Sequence, residues 1–264
     1  MTENLILTKP KGPIFEITLN RPDKRNAIHA QLLSELADAV AEAEKHPDAR
    51  LIVLRGAGKA FSAGLDLMAM GGNVEMFGPD WIEHPHLITR HWQRTISRLT
   101  ESTLPTIALI HGYCLGAGLE LALACDFRYA AEDSKLSLEE TRLGLIPDAG
   151  GTTRLVGLIG LARAKEMIFT AKRIDTTTAE RWGLVHYVMP EADLENAAAA
   201  LAEQIAGCAP LAVAAAKRVI QGIADEATGL QLEAIEQAPL FKTPDLQEGV
   251  QAAIERRPAE WKRH

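Results

Sequence analysis

Between Leu115 and Cys125 the chain reads LGAGLELALAC, and Glu120 is the one ionisable carboxylate in that stretch. Three and four positions away along a helix stand Gly116, Ala117, Leu123 and Ala124. Such a helix is apolar all round and belongs inside the protein. Burying a carboxylate without partners costs on the order of several kcal/mol, which raises its pKa and suits it to moving protons. The plainer alternatives are a Glu facing a small solvent channel or one paired with an internal Arg.

Gly116-Ala117-Gly118 lies just upstream, between a predicted strand and the predicted helix start. The first amides of a helix have no acceptor within it, and small residues let a ligand approach the backbone. Free N–H groups at the positive end of a helix suit a developing oxyanion, although a tight turn would use the same residues for flexibility alone. Phe61-Ser62-Ala63-Gly64 also follows a strand and offers a second amide. Ser62 has no G-x-S-x-G elbow around it, which argues against a serine hydrolase. A further group of acids, Glu139, Glu140 and Asp148, falls in SLEETRLGLIPDAGGTTRL (137–155), with a solvated acidic loop as the alternative for each. His84-x-His86 lacks a partnering cluster, so no metal is expected. No P-loop or dinucleotide-binding glycine pattern occurs.

These residues need elements to hold them. Short strands are predicted at Leu5–Thr8, Ile14–Leu19, Leu51–Leu54, Thr106–Ile110, Phe127–Ala131 and Lys135–Leu138. Helices are predicted at about 30–46, 82–101 and 117–124 from the recurrence of apolar residues such as Leu32, Leu33, Leu36 and Val40. Asp66–Trp81, with Met68, Met70, Met76, Phe77 and Trp81, reads as a loop whose methionines could line an adaptable pocket or simply pack. After Gly151 the pattern is nearly all helical, with alanine-rich segments at 191–206 and 210–222 and a last amphipathic helix near 244–256. Strands alternating with helices imply a mixed α/β core, and the helical third is a second domain or an assembly arm.

The 264 residues suffice for a sizeable core, and 47% hydrophobic with 24% charged residues argues against disorder. A formal net charge of −7 disfavours nucleic acid and anionic membranes as partners. An anionic ligand would then need a local basic pocket, for which Arg256, Arg257, Lys262 and Arg263 are candidates. No apolar run approaches about 18 residues and no targeting segment is evident, so a cytoplasmic location is expected. Cys114, Cys125 and Cys208 show no metal spacing and read as reduced thiols.

Five segments together resemble the crotonase (enoyl-CoA hydratase/isomerase) superfamily across essentially the whole chain. They are NRPDKRNA at 20–27, GAGKAFSAGLDL at 56–67, IHGYCLGAGLELALACDFRYA at 110–130, ETRLGLIPDAGGTTRL at 140–155 and FKTPDLQEGVQAAIERRPAEW at 241–261. The resemblance implies an α/β spiral of repeated ββα units over 1–195 and a helical trimerisation region over 196–264. It implies a homotrimer or a hexamer of paired trimers, and no cofactor beyond the coenzyme A carried by the substrate. The oxyanion amides are expected at Ala63 and Ala117. The acyl-CoA thioester is expected along Arg25, Ala27, Ala63, Gly64, Leu65, Asp66 and Gly116.

The resemblance also gives Glu120 and Glu140 the places of the two hydratase glutamates, implying addition of water to a trans-2-enoyl-CoA to give a 3-hydroxyacyl-CoA. Hydratases of the family usually carry glycine where this chain has Asp148. An acid there is similar to the dienoyl-CoA isomerases, so double-bond isomerisation through Glu140 and Asp148 is the alternative. A third reading, from another class, is an acyl-CoA-binding protein without chemistry.

Overall fold

The computed structural model describes residues 4–70, 85–223, 228, 230–231, 235, 237, 239, 242–255 and 257–262. Strands β1 (Ile6–Lys11) and β2 (Ile14–Leu19) form an antiparallel hairpin through Gly12, whose φ of +57° suits a residue without a side chain. From β2 onward the main sheet runs parallel, through β3 (Leu51–Gly56), β4 (Thr106–Ile110), β6 (Phe127–Ala131) and β9 (Tyr187–Met189). A smaller sheet joins β5 (Tyr113–Leu115), β7 (Lys135–Ser137) and β8 (Ile174–Asp175).

Alternation along the strands divides the core. Ile52 and Leu54 of β3 face one side, against Leu32, Leu36 and Val40 of the Ala30–Lys45 helix, Ile96 and Leu99 of the Pro85–Glu101 helix, and Leu119 and Leu121 of the Ala117–Ala124 helix. Leu51 and Val53 face the other side with Ile107, Leu109 and Tyr129, covered by Leu194, Ala198 and Ala202 of the Leu194–Ala206 helix. Strands buried on both faces read as continuous apolar runs, which is why β3 and β4 were legible. The expected boundary near residue 195 falls in the first turn of this covering helix.

Parallel strands leave their carboxyl-end loops side by side, where α/β proteins place their ligands. Here those loops are 20–29 after β2, 57–66 after β3 and 111–116 after β4. Backbone bridges pair Ile28 with Leu65 and Ser62 with Cys114, so the three loops form one continuous surface.

The region after Gly151 departs from the expected near-continuous helix. It contains β8 and β9, of two and three residues, too short to register as periodicity. The Gly151–Thr170 helical run is also broken at Gly160 (φ 77°, ψ 163°). Leu67–Met70 is a short helix in the expected Met-bearing loop, whereas Met76, Phe77 and Trp81 lie outside the described residues. Among the described residues no single helix is long and apolar enough to cross a membrane.

Candidate active site

Glu120 sits in the first turn of the Ala117–Ala124 helix with only 2% of its surface exposed. Its Oε1 accepts the backbone N–H of Ala149 at 2.9 Å and of Gly151 at 2.8 Å. A Cβ at residue 151 would stand 2.7 Å from that oxygen, so the second glycine of the Gly-Gly pair lets the amide close on the carboxylate. Burial, then the charge of Glu140, pushes the Glu120 pKa up to about 8, against the lowering effect of the two amides.

Glu140 opens the Glu140–Leu143 turn of 3-10 helix. Its Oε1 lies 2.8 Å from where a Cβ on Gly116 would stand, which places it beside the amino end of the Glu120 helix. Its Oε2 is buried and has no hydrogen-bond partner among the described residues. Desolvation raises its pKa to about 7, and the charges of Asp148 and Glu139 add to the rise. A buried oxygen without a protein partner is open to a water or to a ligand atom.

The neighbouring acids are placed differently. Glu139 accepts from Arg173 Nε at 2.5 Å and from the Ser137 hydroxyl at 3.0 Å, and these bonds lower its pKa. It is a half-buried ion-pair partner. Asp148 is exposed on the turn that holds Glu120. Its Oδ2 accepts the Thr89 hydroxyl at 2.5 Å, and its carbonyl accepts Gln93 Nε2 at 2.7 Å.

The amide pair requires a correction. Ala117 opens its helix, so its N–H has no acceptor there. The N–H of Ala63, expected as the second donor, is instead satisfied by the carbonyl of Arg25 at 2.8 Å. Gly64 follows at φ +88°, and this break makes Ala63 and Leu65 face different partners. Ile28 bonds the Gly64 carbonyl and the Asp66 N–H, at 2.8 and 2.9 Å, so the Leu65 N–H between them points the other way. It has no acceptor among the described residues. A Cβ on Gly64 would stand 2.6 Å from the Leu115 carbonyl and 3.5 Å from the Ala117 nitrogen, so the Leu65 and Ala117 segments meet across Gly64.

Residues to which sequence reasoning gave another role or none build this scaffold. Asn26 is fully buried with φ +55°; its Nδ2 donates to the carbonyls of Ala57, Ala60 and Phe61, and its Oδ1 accepts the Arg21 N–H. The Ser62 hydroxyl donates to the Asn26 carbonyl at 2.8 Å and accepts the Gly64 N–H at 3.1 Å, a structural role for a residue in a nucleophile's position. Arg21 bonds the Ala27 carbonyl and pairs with Asp66 at 2.9 Å. Arg25 is exposed and lies 6.0 Å from the Tyr113 ring centre, at the rim of this surface. Ala27 is buried beneath it. Of the basic tail, Arg257 is engaged by Glu248 and Glu255, while Arg256 and Arg263 lie outside the described residues.

Comparison with known proteins bears on what the arrangement is for. The family model for enoyl-CoA hydratase/isomerase matches residues 9–264. YngF of Bacillus subtilis strain 168, whose name covers hydratase and isomerase alike, is 41% identical, with 99% of each chain aligned. A carnitinyl-CoA dehydratase of Salmonella paratyphi A is 36% identical, again over 99% of both. The crystal structure of an enoyl-CoA hydratase from Bacillus anthracis superposes with a TM-score of 0.89 at 39% identity, covering 99% of this chain and 100% of that one.

Proposed function

The chain belongs to the enoyl-CoA hydratase/isomerase family and is an enzyme with the crotonase fold, and we propose that it adds water to a trans-2-enoyl-CoA to give the 3-hydroxyacyl-CoA. The observation that carries the reading is buried Glu120 with half-buried Glu140, whose Oε2 is enclosed, beside two amides that lack acceptors among the described residues.

In this reading the thioester carbonyl accepts the N–H groups of Leu65 and Ala117, which stabilise the charge that develops as C3 is attacked. Glu120, anchored through Oε1, takes a proton from the attacking water with its other oxygen. Glu140 delivers a proton to C2. Water is thereby split across the double bond, and the two acids exchange their proton between turnovers. General acid and general base must be in opposite protonation states. With pKa values of about 8 and about 7 the shared proton rests first on Glu120, so hydration requires that it pass to Glu140 when substrate binds. The surface over Arg25, Ala27, Gly64, Leu65, Asp66 and Gly116 is proposed to take the coenzyme A arm, with no other cofactor. The relative named as a dehydratase removes water from a CoA ester, the same bond change in reverse.

Asp148 favours a second reading, double-bond isomerisation, because its charge contributes to the raised pKa of both glutamates. Its exposure and its bond from Thr89 suit a rim position better than a proton shuttle. We also assign the helical region beyond residue 195 to assembly as a trimer or paired trimers. Exposed Ile220, Ile223, Leu246 and Val250 support this, and light scattering of the purified protein tests it.

A panel of enoyl-CoA esters in water labelled with heavy oxygen tests the reaction. Loss of the conjugated thioester absorbance with label in the product is expected. Glu120→Gln and Glu140→Gln should each slow it by about 10²–10⁴-fold. Rates near the parent's in both variants would refute the hydration mechanism.

A further inference from the structure

Glu120 is held by one turn, and that turn is itself held. Three consecutive peptide groups cross residues 148–151. The first and third, through Ala149 N–H and Gly151 N–H, point at Glu120 Oε1. The middle one points the other way, and its oxygen, the Ala149 carbonyl, accepts Arg154 Nη1 at 3.1 Å. Arg154 Nη2 donates to the Ser97 hydroxyl at 2.9 Å on the Pro85–Glu101 helix, so the guanidinium bridges the turn to a second element. The guanidinium lies directly against the turn. A Cβ on Gly150 would stand 1.9 Å from Arg154 Nη1, and Gly150 has φ +110°. The backbone repeats the link, since Arg154 N–H donates to the Gly150 carbonyl at 2.9 Å.

We propose that Arg154 is the positioning residue of Glu120: it locks the middle peptide so that the flanking amides stay aimed at the carboxylate, and it supplies the cation behind that carboxylate. The inference rests on the proposed role of Glu120 as base. The Arg154 side chain bonds the Ala149 carbonyl and Ser97 and not the Leu65 or Ala117 segments, so it acts through the turn that holds Glu120. A carboxylate held by two amides of one pinned turn keeps its other oxygen in a fixed direction, which general-base catalysis requires.

The electrostatics point the same way. Glu140 and Asp148 face Glu120 and disfavour its charge. Burial lowers the Arg154 pKa, and the charge of Glu120, followed by Cys125 and Glu101, offsets this in part, so guanidinium and carboxylate interact across the turn. A helix staple that merely joined two elements would leave the titration of Glu120 unchanged on removal.

The test reads Glu120 without substrate. Protein labelled with ¹³C at the Glu side-chain carboxyl is titrated by NMR in a Glu140→Gln background, with the Glu120 signal assigned by its loss in Glu120→Gln. Arg154→Met should lower the Glu120 acid dissociation constant at least threefold. With Glu140 restored, the same change should lower kcat about 10–100-fold while KM moves less than threefold, because the CoA surface is untouched. Arg154→Lys keeps the charge but not the two-armed bridge, so it should hold the titration midpoint and lose at least threefold in kcat. An unshifted midpoint in folded Arg154→Met overturns the proposal. If that variant does not fold, parent-like kcat in both Arg154→Lys and Ser97→Ala overturns it instead. Absence of turnover by the parent on every enoyl-CoA would count against hydration but leave the NMR link between Arg154 and Glu120 to stand or fall alone.

Discussion

Replacing Glu120 by Gln should make the protein more stable as well as inactive, and the gain should depend on pH with a predictable sign. In the unfolded chain Glu120 titrates at its ordinary value of 4.5, and in the folded protein at about 8. Between those values the native state holds a proton that the unfolded state has lost, so this residue lowers stability progressively as pH rises from 4.5 to 8. The full difference corresponds to about 5 kcal/mol. Part of it is shared with Glu140, which relaxes once its neighbour is neutral, so a net gain of about 2–5 kcal/mol above pH 8 is expected for Glu120→Gln. The retained amide oxygen still accepts from Ala149 and Gly151. For a chain of this size the gain is on the order of 5–15 °C in Tm. Calorimetry of parent and variant at pH 5 and pH 8.5 measures it: the two should be close at the lower pH and diverge at the higher. Taking the difference cancels the titrating groups that are not coupled to residue 120. A gap that does not widen with pH, or a variant less stable at pH 8.5, refutes the claim that Glu120 is held charged at the protein's expense.

Other perturbations read other parts of the site. Asp148→Asn removes a charge that raises both glutamates, so both limbs of the pH–rate profile should move to lower pH by less than about one unit, with kcat within tenfold; a loss of several orders of magnitude with an unmoved profile would favour the isomerase reading. Gly64→Ala puts a methyl 2.6 Å from the Leu115 carbonyl at a φ of +88°, and should cost about 2–4 kcal/mol in denaturant unfolding along with most activity. An unmoved unfolding midpoint would show that the loops do not meet there. Asn26→Leu leaves the carbonyls of Ala57, Ala60 and Phe61 without their buried donor, and should cost about 3 kcal/mol or more. Steady-state kinetics should show a rise in KM for the CoA ester exceeding the fall in kcat; the reverse would dissociate this loop from ligand binding.

How legible the site was depended on contrast. Glu120 stood out because a lone acid in an apolar helix conflicts with burial, and the conflict is itself the signal. Strands β2, β3 and β4 were readable from apolar runs and alternation, while β5, β8 and β9 were too short to show a period. The Ala63 amide, taken from the resemblance, misled because the residue types do not display the turn at Gly64, where φ +88° decides which amide is satisfied by Arg25 and which is left open. Glu139 and Glu140 are adjacent and chemically identical in sequence. What separates them is Arg173, thirty-four residues away, which neutralises Glu139 and leaves Glu140 facing inward. Asn26, Ser62 and Arg154 act through contacts distant in sequence, which no local pattern displays.

The distribution of partners among the acids argues more strongly for a role than burial does. Had the fold needed Glu120 only as a plug, an apolar residue of similar size would avoid the cost of its charge and spare the Ala149 and Gly151 amides their dependence on it. Had it needed Glu140 only as a helix-turn residue, the carboxylate would have been directed outward with Glu139 and Arg142 rather than left with Oε2 unpaired. Retaining two destabilised carboxylates side by side is reasonable where a substrate supplies the missing partners. A water bound between them would give Glu140 the contact it lacks and give Glu120 a third, at its other oxygen. Calorimetric binding of a non-reactive saturated acyl-CoA to the parent, Glu120→Gln and Glu140→Gln proteins separates the possibilities. Affinities equal within threefold, with turnover lost in both variants, place the two acids at the reacting atoms; affinities that fall together with turnover place them in ligand binding and remove the case for general acid–base chemistry.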